Sequence, residues 1–280
     1  MIGQEAGAKM TSGDVNIAIG LMALSSEITT GNDNVAIGCY AGCKLSSGAS
    51  NLILGHQAGS CGVITGQHNV MSGTCAGFKL TSGCYNTMIG YQAGMCLTTG
   101  CDNVFIGRQI ADGATITGND NVVIGSNGGD KLTSGDQNIL IGLSAGNAIT
   151  TGSDNIYMGY ASGFSLGGDN TGSHNIIMGE YSATLGTVTG NCNIALGKCV
   201  FQNLQSASEN VALGVRVMGD TGTCGCKNVI IGSCAGNRIS TGFGNVFLGA
   251  ENTNLSGGEG TVTGHRNVSI GFGALSLIHI

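Results

Sequence analysis

Apolar residues along this chain fall in clusters of three, not in long alternations or helical stripes. Each cluster follows an Asn and precedes a Gly: Asn, two β-formers around a variable residue, Gly. The phrase recurs fifteen times, at Asn16, Asn34, Asn51, Asn69, Asn86, Asn103, Asn121, Asn138, Asn155, Asn175, Asn193, Asn210, Asn228, Asn245 and Asn267. Intervals are 17 or 18 residues, apart from one of 20 and one of 22. A fixed period with one short β phrase per unit predicts stacked coils, an all-β parallel β-solenoid of ~15–16 coils.

With Asn as offset 0, offset +1 is Val, Ile or Leu except at Thr87. Offset +3 is Ile, Leu or Met except at Ser72. Period 2 places these two positions on one face of a short strand. Both being apolar, that face is expected inside the coil, with Val122 and Ile124 buried. Offset +2 is then expected to face outward. It too is apolar, from Ala18 and Ala36 through Met71, Phe105 and Val123 to Phe247. An apolar stripe that long on an outer face marks an interface, and identical parallel chains would satisfy it. Two or three chains fit equally.

Gly at −3 in every unit but that of Ala207, and at +4, brackets each strand at corners. Leu or Ile near +11, as at Leu45, Leu80, Leu97, Leu132 and Ile149, predicts a second, shorter strand. Stacking brings like residues about 4.8 Å apart. The fifteen Asn are therefore expected to form a structural amide ladder. The two long intervals, 164–171 and 250–261, are expected to bulge, with exposed turns at Gly167-Gly168-Asp169 and Ser256-Gly257-Gly258.

The 280 residues include 52 Gly, no Pro and no Trp, with 9% charged residues and a net charge of −6. The Gly residues sit at fixed offsets, so the composition reflects corners and not low complexity. No basic footprint for nucleic acid is present. No apolar run approaches the ~18 residues of a membrane span, and no signal peptide is visible. Met1-Ile2-Gly3 aligns with Met88-Ile89-Gly90, as though the repeat started mid-phrase. Residues 1–274 are read as one repeat domain, a fragment of a longer fibre. Residues 275–280, Leu-Ser-Leu-Ile-His-Ile, break the pattern and resemble a translated sequencing adapter.

Asn34-Val-Ala-Ile-Gly38 and Gly118-Asn-Asp-Asn-Val-Val-Ile-Gly125 resemble the head repeats of trimeric autotransporter adhesins. They resemble still more the repeats of phage tail fibres. The resemblance covers residues 1–274 and implies a left-handed parallel β-roll that trimerises into a rod. It implies a homotrimeric fibre segment in a virion, attaching to a host-surface glycan or protein. The alternative is the head of a bacterial trimeric adhesin at the cell surface. The units here are longer than the adhesin repeat.

Twelve Cys suit assembly in a reducing compartment better than secretion, which favours the phage reading. Cys84 and Cys101 share offset −2 in adjacent coils, within disulfide reach. No Cys-x-x-Cys pair exists, and the His residues do not stack at metal spacing. Asp33, Asp102, Asp120 and Asp154, at −1, read as turn formers. With no nucleophile motif, phosphate loop, cofactor or metal signature, no enzyme is expected. Lys9, Lys44, Lys79, Lys131 and Arg238 share offset +10, a solvated edge or a contact for anionic glycans. His56, Tyr91, Tyr160 and Phe272 share +5, where exposed rings can stack on sugars. Ice binding by Thr arrays is the remote alternative. It disagrees with Thr pairs such as Thr98-Thr99 lying adjacent before a turn Gly.

Overall fold

A computed structural model describes residues 1–165, 168–218, 225–237, 239–252 and 263–274. Among these there is no helix. Fifteen short parallel strands appear, each starting on the residue after a repeat Asn. The chain forms two compact units, Met1–Gln137 and Asn138–Ile280. The first holds seven strands, from Ile17–Ile19 to Val122–Ser126, and the second eight, from Ile139–Leu143 to Val268–Ile270. Within each unit, strands adjacent in sequence pair in register, as in Ile17↔Val35, Ala18↔Ala36 and Ile19↔Ile37. Each unit is therefore a parallel β-solenoid in which every repeat offset becomes a column.

The strand faces are the reverse of the sequence expectation. The +2 column lies inside the coil. Ala18, Ile53, Met71, Met88, Phe105, Val123, Leu140, Tyr157, Ile177 and Phe247 are all 0% exposed. Offsets +1 and +3 point outward, half-buried to exposed, with Val122 and Ile124 among them. The lumen explains this. It is closed by the small residue at +7, commonly Ala, and by Leu or Ile on the opposite wall. Such a narrow coil takes the middle side chain of each three-residue apolar phrase, and the two flanking ones are left outside.

The opposite wall is the second, shorter element. It pairs through isolated parallel bridges, Leu45↔Ile64 and Leu97↔Ile116 in the first unit and Ile149↔Asn170 in the second. These bridges account for the two coil lengths. Leu45 and Leu97 lie six residues before the next Asn, whereas Ile64 and Ile116, in 18-residue coils, lie five before it. The extra residue is absorbed at the preceding corner. The two longest intervals carry two of the bulkiest inward side chains, Tyr157 and Phe247.

Size is complementary across the lumen. Leu140 faces Gly146, where an added Cβ would lie 2.5 Å from a Leu140 methyl carbon. Met88 likewise blocks Gly94, and the Tyr157 ring lies against Gly163. Where +2 is Ala18, Ala195 or Ala212, offset +8 carries Leu24, Phe201 or Met218 instead, all buried, whereas Ala36 keeps Gly42 at +8 and the space there is reached by Leu24 and Ile53 of the adjoining coils. Among the described residues offset +8 has positive φ throughout, 50° at Leu24 and 58° at Gly146. The large residues there accept a cost of about 1 kcal/mol to fill the void opposite Ala.

The expected Asn ladder is present in each unit. Asn86 Nδ2 donates to Asn69 Oδ1 at 3.0 Å and to the Gly100 carbonyl at 2.9 Å. Asn86 Oδ1 in turn accepts the backbone N–H and the Nδ2 of Asn103, at 2.9 and 3.1 Å. Each amide thus ties three coils together. The corner glycines are required by close approach. Gly55 has φ +127°, and a Cβ on it would lie 2.6 Å from the Gly73 carbonyl oxygen of the next coil. The four Asp at −1 sit in the left-handed region, Asp33 at φ 59°. His68, Lys227 and other residue types share that geometry.

Of the long intervals, residues 253–262 and the turn Ser256-Gly257-Gly258 lie outside the described residues, as do 166–167. In the first interval Asp169 is exposed, but Asn170 is fully buried. Its Nδ2 donates to the Gly163 carbonyl at 2.8 Å and its Oδ1 accepts the Val188 N–H at 2.8 Å. This insertion therefore re-enters the coil through a polar residue, as the buried Thr29 does in the first unit, where most other coils place an aliphatic side chain.

Candidate functional site

The correction of register moves the candidate interface to the other face of the same strands. Offsets +1 and +3 form two adjacent columns of Val, Ile, Leu and Met along each unit. Ile37 and Ile89 are 40% exposed, and Ile231 and Leu196 each 38%. Only Ser72, opposite Ile89, and Thr87, opposite Val70, interrupt the columns. Two half-exposed apolar side chains per coil, over seven or eight coils, amount to several hundred Å² per unit. That is at or above what soluble monomers leave uncovered. No charged residue lies within either column.

The basic column at +10 does structural work first. Lys9 Nζ donates to the Ser26 carbonyl at 2.8 Å and Lys44 Nζ to the Cys61 carbonyl at 2.9 Å. Lys79 Nζ lies 3.3 Å from Cys96 Sγ. Each bond reaches the equivalent position of the next coil, so these amines tie coils together. Lys131 is exposed, and Arg238 lies outside the described residues.

The aromatic positions lie within each unit. Tyr91 stands exposed in the first unit. In the second, the Tyr160 ring meets Tyr181 edge-on, with centroids 4.8 Å apart. Hydrogen bonding to Tyr160 raises the Tyr181 hydroxyl above its usual range. Beside them Lys198 and Glu180 pair at 2.9 Å, and that hydrogen bond raises the Lys198 ammonium. The Tyr160–Tyr181 contact was not legible beforehand, because Tyr181 sits one offset away from the +5 column.

A second polar ladder escaped the sequence reading entirely. At offset −2 the side chain of one coil accepts the backbone N–H of the preceding coil. Asn32 Oδ1 accepts from Asp14, Cys101 Sγ from Cys84, Asn119 Oδ1 from Cys101 and Ser173 Oγ from Ser153, at 2.8–3.2 Å. His265 Nδ1 accepts from Phe243 at 3.2 Å. The common requirement is an acceptor, met by Asn, Cys, Ser and His alike, so no shared letter marks the column.

Two exposed columns contrast in their tolerance. Offset −1 holds Val15, Asp33, His68, Tyr85, Glu209, Lys227 and others. Offset −4 holds only Ser or Thr, except at Cys224. Among the described residues no three His, Cys, Asp or Glu side chains converge as a metal-binding set. Comparison with protein-family models, with characterised proteins and with solved structures returned no match.

Proposed function

We propose that this chain is a segment of a phage tail fibre, built from three parallel identical copies and serving in attachment to a host surface. The observation that carries the proposal is the outward apolar face at +1 and +3, repeated coil after coil. A partner that meets every coil must share its rise of about 4.8 Å along the stack. A second copy in parallel meets that condition without adjustment, and closed cyclic symmetry then limits growth. Burial of one Val, Ile or Leu is worth ~1.5–3 kcal/mol, so even partial covering of two columns outweighs the entropy of association.

The order of three and the attachment role rest on the resemblance of Asn34-Val-Ala-Ile-Gly38 and its repeats to tail-fibre and adhesin units. A bacterial surface adhesin remains the alternative on the same residues. Light scattering on the purified chain measures the copy number directly. Three copies agree with the proposal. Two keep the interface and remove the resemblance from the argument. For attachment, fluorescently labelled assembly is mixed with a panel of bacterial strains. Saturable binding to particular strains supports the role, and uniform absence of binding across the panel removes it.

A further inference from the structure

We propose that Cys84 and Cys101 form a redox-operated staple between adjacent coils. Both lie two residues before a ladder Asn, Asn86 and Asn103, so they occupy the same place in successive coils. Among the eleven described cysteines, all free, they are the only two with that relationship. Neighbouring rungs lie about 4.8 Å apart, inside the range of about 4.4–6.8 Å between Cα atoms that a disulfide spans. Cys101 Sγ already reaches over its neighbour's backbone, accepting the Cys84 N–H at 3.2 Å. Cys84 Sγ is turned away, accepting the Gln67 N–H at 3.3 Å and contacting the Ser82 carbonyl at 3.4 Å. Bonds to sulfur are weak, so rotation of Cys84 into the next staggered well gives up little. Both side chains are half-buried and open to a small oxidant.

The step balances with a small-molecule disulfide such as oxidised glutathione. The thiolate of one cysteine attacks the disulfide, forming a mixed disulfide and expelling one glutathione thiolate. The second cysteine's thiolate then attacks the protein sulfur of that mixed disulfide and expels the other. The two protein thiols lose two electrons and two protons, and the oxidant leaves as two glutathione thiols. Competing sites do not complete this sequence. Cys43 is buried, its sulfur directed at the Ser60 carbonyl 3.5 Å away, and burial pushes its thiol up. Exposed Cys61 and Cys192 have no cysteine at their own offset in the neighbouring coils, so they stop at the mixed disulfide.

Stacking of the coils holds the two cysteines side by side. A chain that folds with free thiols under reducing conditions is then locked when it meets an oxidising medium. Closing the loop between the two coils limits the unfolded ensemble and so stabilises this part of the stack. The inference does not depend on the fibre assignment.

Reduced, folded protein is incubated with oxidised glutathione and digested under non-reducing conditions. Trypsin leaves both cysteines between Lys79 and Arg108, so chymotrypsin is used, which cuts after Tyr85 and Tyr91. The expected result is a Cys84–Cys101 cross-linked peptide as the main disulfide, with single-chain mobility on a non-reducing gel. Oxidation is also expected to raise the thermal midpoint by several degrees in the parent chain and not in Cys101→Ser. That variant keeps the ladder acceptor, because Ser173 serves the same position at Ser153. Stable glutathione adducts on both cysteines without a cross-link, or a cross-link between chains, would overturn the proposal.

Discussion

The inner and outer columns of the strands are made from overlapping residue types, yet they answer to different constraints. Inside, Leu140 is matched against Gly146, and Ala212 against Met218, while the small pair Ala36 and Gly42 is filled from the neighbouring coils by Ile53 and Leu24, so volume is balanced within a coil or between adjacent ones. Outside, Val, Ile, Leu and Met alternate with no such matching. Hydrophobicity therefore does not distinguish a core from an interface in a coil this narrow. Compensating volume does, because only a closed space penalises both a void and a clash.

The sharpest break of that comparison comes from the interior ladder. Asn86→Ala removes four hydrogen bonds to Asn69, Gly100 and Asn103, all buried. At ~1 kcal/mol each, the expected loss is ~4 kcal/mol, read by denaturant unfolding. An outward substitution such as Val104→Thr in the same coils is expected to cost the isolated chain under 1 kcal/mol.

The volume argument is tested by a double-mutant cycle. Gly146→Leu alone is expected to destabilise by ~2–3 kcal/mol, because the new side chain meets Leu140. Leu140→Ala alone opens a void and costs a similar amount. Together they recreate the pairing of Ala18 with Leu24, and a coupling of ~1–3 kcal/mol should be recovered. Additive losses would show that the two positions do not share one space.

Tyr157 sharpens the comparison from the inside. Its ring is fully buried and its hydroxyl has no hydrogen-bond partner among the described residues. Tyr157→Phe is therefore expected to leave stability at pH 7 unchanged or raised by up to ~1 kcal/mol. Burial raises the hydroxyl above its ordinary pKa of 10.0, so the folded chain holds that proton more tightly than the unfolded chain. The stability is complete below pH 10.0 and falls as pH climbs towards the folded-state pKa. The Phe variant should lose that alkaline decline in unfolding curves. The smallest effect belongs to the −4 column. Thr99→Ala changes an exposed side chain and is expected to shift stability by less than ~0.5 kcal/mol. A thermal-hysteresis assay on the parent chain separately tests ice binding, and freezing-point depression without a matching melting-point change would favour it.

Much of the architecture was legible from Asn and Gly. Every strand starts where the Asn–x–x–x–Gly phrase places it, because a buried amide and a corner with positive φ tolerate few substitutes. The inside-outside register was not read from the same phrase. With three strand residues all apolar, as in Val122-Val123-Ile124, majority hydrophobicity points to the wrong pair. The deciding signal lay six residues further on, in the opposition of Ala195 to Phe201 and of Tyr157 to Gly163. The −2 ladder left no such trace, since Asn32, Cys101, Ser173 and His265 share a lone pair and nothing else. The +10 lysines were visible as a column, but their bonds to Ser26 and Cys61 required the stacking distance.

The central claim is that +2 builds the coil and that +1 and +3 join the copies. Val123→Asp and Ile124→Asp place the same charge on adjacent residues of one strand. Circular dichroism and sedimentation velocity on the two variants beside the parent separate the roles. The account predicts that Val123→Asp, which buries an unpaired carboxylate, loses the β signal. It predicts that Ile124→Asp keeps the β signal of the parent but sediments as a smaller species. An unfolded Ile124→Asp beside a folded, dissociated Val123→Asp would restore the opposite register and contradict the account.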